Sequence, residues 1–162
     1  MNREIRIVIA DDHPMFRSGL RMTIEADPLL RVVAEAGDGE SARASVIELQ
    51  PDIAVLDIYM PPPDGLAIAR DLQERHWPTN AILLTMYNDK ALLNAALDIG
   101  VKGFLVKDAT ANEIVGCIKA VAAGKSYLSP TLSDFLLERR NHGAHSLNKL
   151  TAAERQGIAT GG

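Results

Sequence analysis

Five short apolar runs, Ile5–Ala10, Val32–Ala34, Ile53–Leu56, Ala81–Leu84 and Gly103–Val106, punctuate the N-terminal part of the chain. Each is too short for a helix and lacks the polar alternation of a strand with one wet face. That is the pattern of strands covered on both sides. Helical periodicity fills the intervals: Phe16, Leu20 and Ile24; Ala42, Val46 and Leu49; Leu66, Ala69 and Leu72; Leu92, Ala96 and Ile99; Ile114, Ile118 and Val121. Helix starts are marked too, by Pro14 near a first turn, Asp38 as an N-cap, and Thr110 with Glu113 as a capping box. Five βα units in succession predict an α/β fold, a doubly wound five-stranded parallel sheet with right-handed crossovers and helices on both faces.

At 162 residues and 47% hydrophobic, the chain can bury one full core but hardly two, so one main domain with an appendage is expected. A net charge of −4 gives no reason for nucleic-acid binding by the bulk of the chain. The single cysteine, Cys117, excludes an internal disulfide, suits a reducing compartment and reads as a packing residue. The start, MNREIRIVIADD, lacks the apolar core of a signal peptide, and no stretch reaches membrane-spanning length. A cytoplasmic protein with no membrane partner is expected. Past Ala123-Gly124 the pattern changes. Ser129-Pro130 opens one more short amphipathic helix, carrying Leu132, Phe135 and Leu136 and ending in the solvated Glu138-Arg139-Arg140. The segment RRNHGAHS reads as a linker, and LTAAERQGIATGG opens with a capping box at Thr151 and Glu154 before turning into poor helix material.

The polar residues fall where the strands end. Asp11 and Asp12 close the first strand, Asp57 the third, Thr85 the fourth and Lys107 the fifth. In open α/β sheets ligands bind at the carboxyl ends of the strands, at the point where strand order reverses. For the order 2-1-3-4-5 that point lies between strands 1 and 3, so Asp11, Asp12 and Asp57 converge there, facing Lys107 and Thr85. Three clustered carboxylates repel one another and call for a counter-charge. A hard divalent cation, Mg2+, supplies it through carboxylates, a backbone carbonyl and waters. The stiff MPPPDG loop then sets how strand 3 leaves the site, with Gly65 freeing the backbone before the next helix. His13 suits a hard cation poorly and reads as a loop residue. Tyr87 fits either the site mouth or surface packing.

The stretches IADDHP, AVLDIYMPPPDG, ILLTMYND and GVKGFLVKDA resemble the receiver domain of two-component response regulators. GKSYLSP and LTAAE resemble the NarL/FixJ subfamily, in which a LuxR-type helix-turn-helix domain follows. The resemblance implies a flavodoxin-like receiver fold over residues 1–125, a short helix and linker over 126–146, and a truncated start of the output domain over 147–162. It implies that Asp57 is the phosphoacceptor, taking a phosphoryl group from the phosphohistidine of a sensor histidine kinase. Asp11, Asp12, Asp57 and the backbone carbonyl of Tyr59 would hold Mg2+, and Lys107 and Thr85 would contact the phosphoryl oxygens. Phe104 would be the aromatic switch that moves with Thr85, repacking the surface from about Asp89 to Ala123 and promoting a homodimer. Such a domain is a signalling switch rather than an enzyme, though it assists its own phosphotransfer and dephosphorylation.

Two departures stand out against that family. Lys107 is followed by Asp108, where many receivers have proline, so the sequence gives no basis for assuming a cis bond there. MPPPDG carries two extra prolines compared with the commoner MPGMDG. Other functions fit less well. An aspartate-nucleophile phosphohydrolase needs a second acid two residues after the nucleophile, where this chain has Tyr59. A flavodoxin-like nucleotide binder needs a small polar first loop, which Asp11-Asp12 contradicts. A complete DNA-binding regulator needs a recognition helix, and about a dozen residues follow Leu150, so DNA contact is expected only through an output domain absent from this chain.

Overall fold

The computed structural model describes residues 3–86 and 90–129. In chain order the elements are β1 (Ile5–Ala10), α1 (Pro14–Glu25), β2 (Leu30–Ala36), α2 (Gly39–Leu49), β3 (Ile53–Asp57), α3 (Gly65–Glu74), β4 (Asn80–Thr85), α4 (Lys90–Ile99), β5 (Gly103–Val106), α5 (Ala111–Ala122) and β6 (Tyr127–Leu128). All pair in parallel in one sheet of order β2-β1-β3-β4-β5-β6. The doubly wound α/β arrangement expected from the apolar runs is present, with one strand more than the five expected. Two residues make no apolar run, which is why β6 is invisible in the sequence. Gly124, at φ 84°, ends α5 in the left-handed region and turns the chain back toward β5. Tyr127 N–H then donates to the Lys102 carbonyl at 2.8 Å, and Ser129 N–H to that of Phe104 at 3.1 Å. The buried Ser129 hydroxyl accepts from Val106 N–H at 3.2 Å, extending the ladder by one rung.

The helix starts follow the expected caps. Asp38 accepts from Ser41 N–H, Thr110 accepts from Glu113 N–H, and Pro14 is the first residue of α1. Asp64 caps α3 in the same way, accepting from Ala67 N–H. One side of the sheet, including Ile7, Ile53, Val55 and Leu84, packs against Leu20 and Ile24 of α1 and Ile114, Ile118 and Val121 of α5. Cys117 is fully buried in that layer, and burial pushes its thiol up to about 12, so it is an inert packing residue. Helices α2, α3 and α4 lie side by side on the other face.

Two helices turn a slightly different face inward from the one the periodicity suggests. In α3 the buried residues are Gly65, Ile68, Ala69 and Leu72, with Leu66 only half-buried. In α4 they are Leu93 and Ala96, whereas Leu92 and Ile99 are half-buried. The sequence KALLNAALDI is apolar on most sides, so several stripes satisfy a 3.6-residue period and tertiary packing selects among them. Tyr87, Asp89 and everything assigned to 130–162, including the extra helix, the linker and the output-domain start, lie outside the described residues. Among those described, no helix is long and apolar enough to cross a membrane.

The inward face of α4 is open to a direct test. Leu93→Ala is expected to destabilise the fold by about 2–5 kcal/mol through the cavity it leaves. Leu92→Ala should cost no more than about 1 kcal/mol. Urea unfolding of the two variants reads the difference, and equal losses would put the face one residue off.

Candidate functional site

Strand register decides which polar side chains can meet. Ala10 pairs with Leu56, Asp57 with Leu84, and Leu84 with Leu105, so β1, β3, β4 and β5 end nearly level. Asp11 follows β1 directly, and Asp57 is the last residue of β3. Both are buried, at 0% and 1% exposure. Lys107 follows β5 and brings its Nζ to 2.7 Å from Asp11 Oδ2 and 2.8 Å from Asp57 Oδ2. Thr85 ends β4, is buried, and its carbonyl accepts the Lys107 N–H at 2.8 Å. Tyr59 N–H donates to Asp57 Oδ1 at 3.1 Å, closing a tight turn straight after the strand. Phe104 is buried on β5 beside Leu83. The five strand-end residues singled out in the sequence therefore come together, with Asp12 at the exposed rim.

The charges are poised against their surroundings. Burial is the strongest influence on Asp57 and raises its pKa above the usual carboxylate value, and the bonds from Lys107 and Tyr59 N–H only partly offset it. Burial also works against the Lys107 ammonium, yet its bonds to Asp11 and Asp57 more than compensate, and its pKa is raised. Asp11, Asp12, His13 and Asp57 each offer a ligand atom, all within 4.8 Å of one another. Three carboxylates against one ammonium leave two negative charges, which matches a divalent cation in charge and in donor type. The residues present fit Mg2+.

Four contacts were not visible in the sequence. His13 is more than a loop residue: its N–H donates to Asp11 Oδ1 at 2.7 Å, and its ring Nδ1 lies 3.1 Å from carboxylate oxygens of both Asp11 and Asp12. Phe16 places its ring 4.8 Å under the Lys107 ammonium, a cation–π contact. Arg17 reaches the Asp11 carbonyl at 2.6 Å. Gly65 serves close approach rather than an unusual backbone conformation, because a Cβ there would lie 2.4 Å from the Asp57 carbonyl oxygen. Nothing in the local sequence announces these, since each depends on a partner brought in by the sheet. The cis peptide of this region is Pro62–Pro63, and the bond after Lys107 is trans. Beside the acid cluster lies an open groove of about 510 Å³ lined by His13, Met15, Phe16, Met86, Lys107 and Asp108.

The family model of the response regulator receiver domain matches residues 7–119. The chain belongs to that family. The transcriptional regulatory protein NarL of Mycobacterium tuberculosis is 35% identical to this receiver over 154 residues, which covers 94% of the chain and 71% of NarL. DegU of Brevibacillus brevis is 33% identical over 135 residues, covering 83% of the chain and 57% of DegU. A solved LuxR-family two-component response regulator from an Aurantimonas species has a TM-score of 0.79 at 34% identity, covering 85% of this receiver and 98% of that chain.

The raised pKa of Asp57 has a consequence for stability. The folded receiver holds the Asp57 proton more tightly than the unfolded chain does. Stability is therefore greatest while Asp57 is protonated and falls as pH rises from the usual carboxylate range through the raised value. Lys107, also raised, contributes stability that is complete below the usual lysine value and is lost only at alkaline pH. Without divalent cations at neutral pH, Asp57→Asn is expected to be more stable than wild type by roughly 1 kcal/mol, a few degrees in melting midpoint. The gap should close as the pH is lowered. Thermal melts of both proteins across the acid range check this, and a pH-independent gap would contradict it.

Proposed function

We propose that this receiver is the phosphoacceptor switch of a two-component regulator, with Asp57 taking a phosphoryl group from a sensor histidine kinase. The observation that carries the reading is the Lys107 ammonium held within 2.8 Å of both Asp11 and Asp57 at the carboxyl edge of the sheet. Asp11, Asp12, Asp57 and the Tyr59 carbonyl would hold Mg2+, which when bound neutralises the phosphoryl oxygens. A carboxylate oxygen of Asp57 attacks phosphorus in line. The new P–O bond forms as the P–N bond of the donor phosphohistidine breaks, and the electron pair stays on the departing imidazole nitrogen. Burial makes the Asp57 carboxylate more basic than an exposed one and hence a better nucleophile once ionised. Lys107 stays charged through its carboxylate bonds and can transfer that charge to the phosphoryl oxygens as they arrive. Thr85, at the neighbouring strand end, supplies a hydroxyl for the same oxygens.

Incubation with acetyl phosphate and Mg2+ is expected to add one phosphoryl mass to the wild type and none to Asp57→Asn. Equal labelling of the two would remove Asp57 from the role.

The same reading makes Thr85 and Phe104 the switch. Lys107 and Thr85 are tied by a backbone hydrogen bond, and Phe104 sits three residues before Lys107 on β5. Drawing Lys107 and Thr85 toward a phosphoryl group with close to two negative charges would strain this corner and repack the surface from α4 through β5 to α5. A homodimer formed there, and DNA contact through an output segment beyond the receiver, follow as parts of the proposal, as does a cytoplasmic location. Amide chemical shifts with and without beryllofluoride should change over residues 90–123, and sedimentation should show self-association of the treated form. Changes confined to the neighbours of Asp57 would defeat the switch assignment.

A further inference from the structure

We infer that Arg17 is a positioning residue for the acid pair Asp11-Asp12, setting the cation affinity of the site without touching the cation; this rests on the phosphoacceptor reading above. Arg17 sits on α1, six residues after Asp11, and its guanidinium faces two ways. Nη1 donates to the Asp11 backbone carbonyl at 2.6 Å, and Nε donates to Glu35 Oε1 at 3.1 Å. Glu35, near the end of β2, is itself held by Arg21 Nη1 at 2.7 Å. That bond is the main reason its carboxyl titrates below the usual glutamate value.

Asp11 is thus fixed from two sides. Its N–H donates to the Ala36 carbonyl at 3.0 Å, and its carbonyl accepts from Arg17. Room for the guanidinium comes from Gly37, where even a Cβ would approach Arg17 Nη1 to 3.2 Å. The contact is to main chain, so the positive charge does not neutralise the acid cluster by pairing with a carboxylate. What it does is hold the backbone from which the Asp11 and Asp12 side chains project. A hard cation of near-ideal octahedral demand tolerates little drift in its ligands. Removing a hydrogen-bonding partner behind a ligand typically lowers metal affinity 10–100-fold. The planar fork matters, because Nε and Nη1 meet the two acceptors at a fixed spacing, which an ammonium on a flexible stem does not impose.

The test measures Mg2+ dissociation constants by titration for wild type, Arg17→Met, Arg17→Lys, Glu35→Gln and Asp12→Ala, together with Asp57 labelling by acetyl phosphate as a function of Mg2+. Arg17→Met is expected to weaken Mg2+ binding about tenfold. The half-saturating Mg2+ for labelling should rise in step while the rate at saturating Mg2+ holds. Arg17→Lys and Glu35→Gln should fall between Arg17→Met and wild type. Loss of affinity in Asp12→Ala with unchanged affinity in Arg17→Met overturns the positioning role and leaves the site reading intact. Unchanged affinity in Asp12→Ala overturns the site reading itself, and the positioning role with it. Should Arg17→Met fold poorly, unchanged affinity in both Arg17→Lys and Glu35→Gln is equally decisive against the role.

Discussion

The whole site hangs on one ammonium. Asp11 and Asp57 are both buried, and their carboxylates lie within 4.8 Å of each other. At an effective dielectric of about 20, two like charges at that separation repel by roughly 3–4 kcal/mol. Lys107 offsets this by standing between them, and the two carboxylates in return keep a buried lysine charged. None of the three groups is stable there alone. The arrangement is costly in the same sense that suits it to the proposed role, since a centre short of positive charge favours a cation, and that cation would then offset the charge of an incoming phosphoryl group.

Reaching across the sheet to make that bridge is a matter of register. Asp57 is level with Leu84 on β4 and, through it, with Leu105 on β5. Lys107 therefore starts two residues beyond the level of Asp57, roughly 6–7 Å further along the strand direction. Strand β4 lies between the two, so the lysine stem has to cross the end of β4, where Thr85 stands. A long unbranched side chain with a charge at its tip can do this, and a short one cannot. The backbone bond from Lys107 N–H to the Thr85 carbonyl anchors the base of that stem, and the Phe16 ring supports its tip. One more bond, from Val106 N–H to the Ser129 hydroxyl, pins the residue before Lys107 to the residue that follows β6.

The legible and illegible parts of the molecule divide along a physical line. Strands buried on both faces must be apolar, so a polar residue at the end of each apolar run marks both the strand end and the ligand crevice. Asp11, Asp57, Thr85 and Lys107 could be read for that reason. N-caps could be read because Asp38 and Thr110 act on a backbone three residues away. What could not be read depends on partners far along the chain. The side of α4 that faces inward depends on what packs against it, because its own sequence offers several apolar stripes. β6 is too short to carry a pattern. His13 and Arg17 acquire their contacts only once β1, β2 and α1 are assembled.

The proline loop shows the same principle at its most demanding. Gly39 begins α2, and a Cβ there would lie 1.6 Å from the Pro63 carbonyl oxygen, a distance no side chain can occupy. Its N–H donates to the Pro61 carbonyl at 3.2 Å. At the other end Gly65 lets α3 begin against the Asp57 carbonyl, and its N–H reaches the Ile58 carbonyl at 3.4 Å. The loop between Asp57 and α3 is therefore gripped by two glycines, one from a helix that precedes it by about twenty residues in sequence. Three prolines inside the loop reduce the freedom of the unfolded chain, so less entropy is lost when it is fixed. Stiffness alone would not hold the Tyr59 N–H against Asp57 Oδ1; a rigid loop with free ends can still pivot. The grip at Gly39 and Gly65 converts stiffness into position, and position is what a cation with exacting geometry requires.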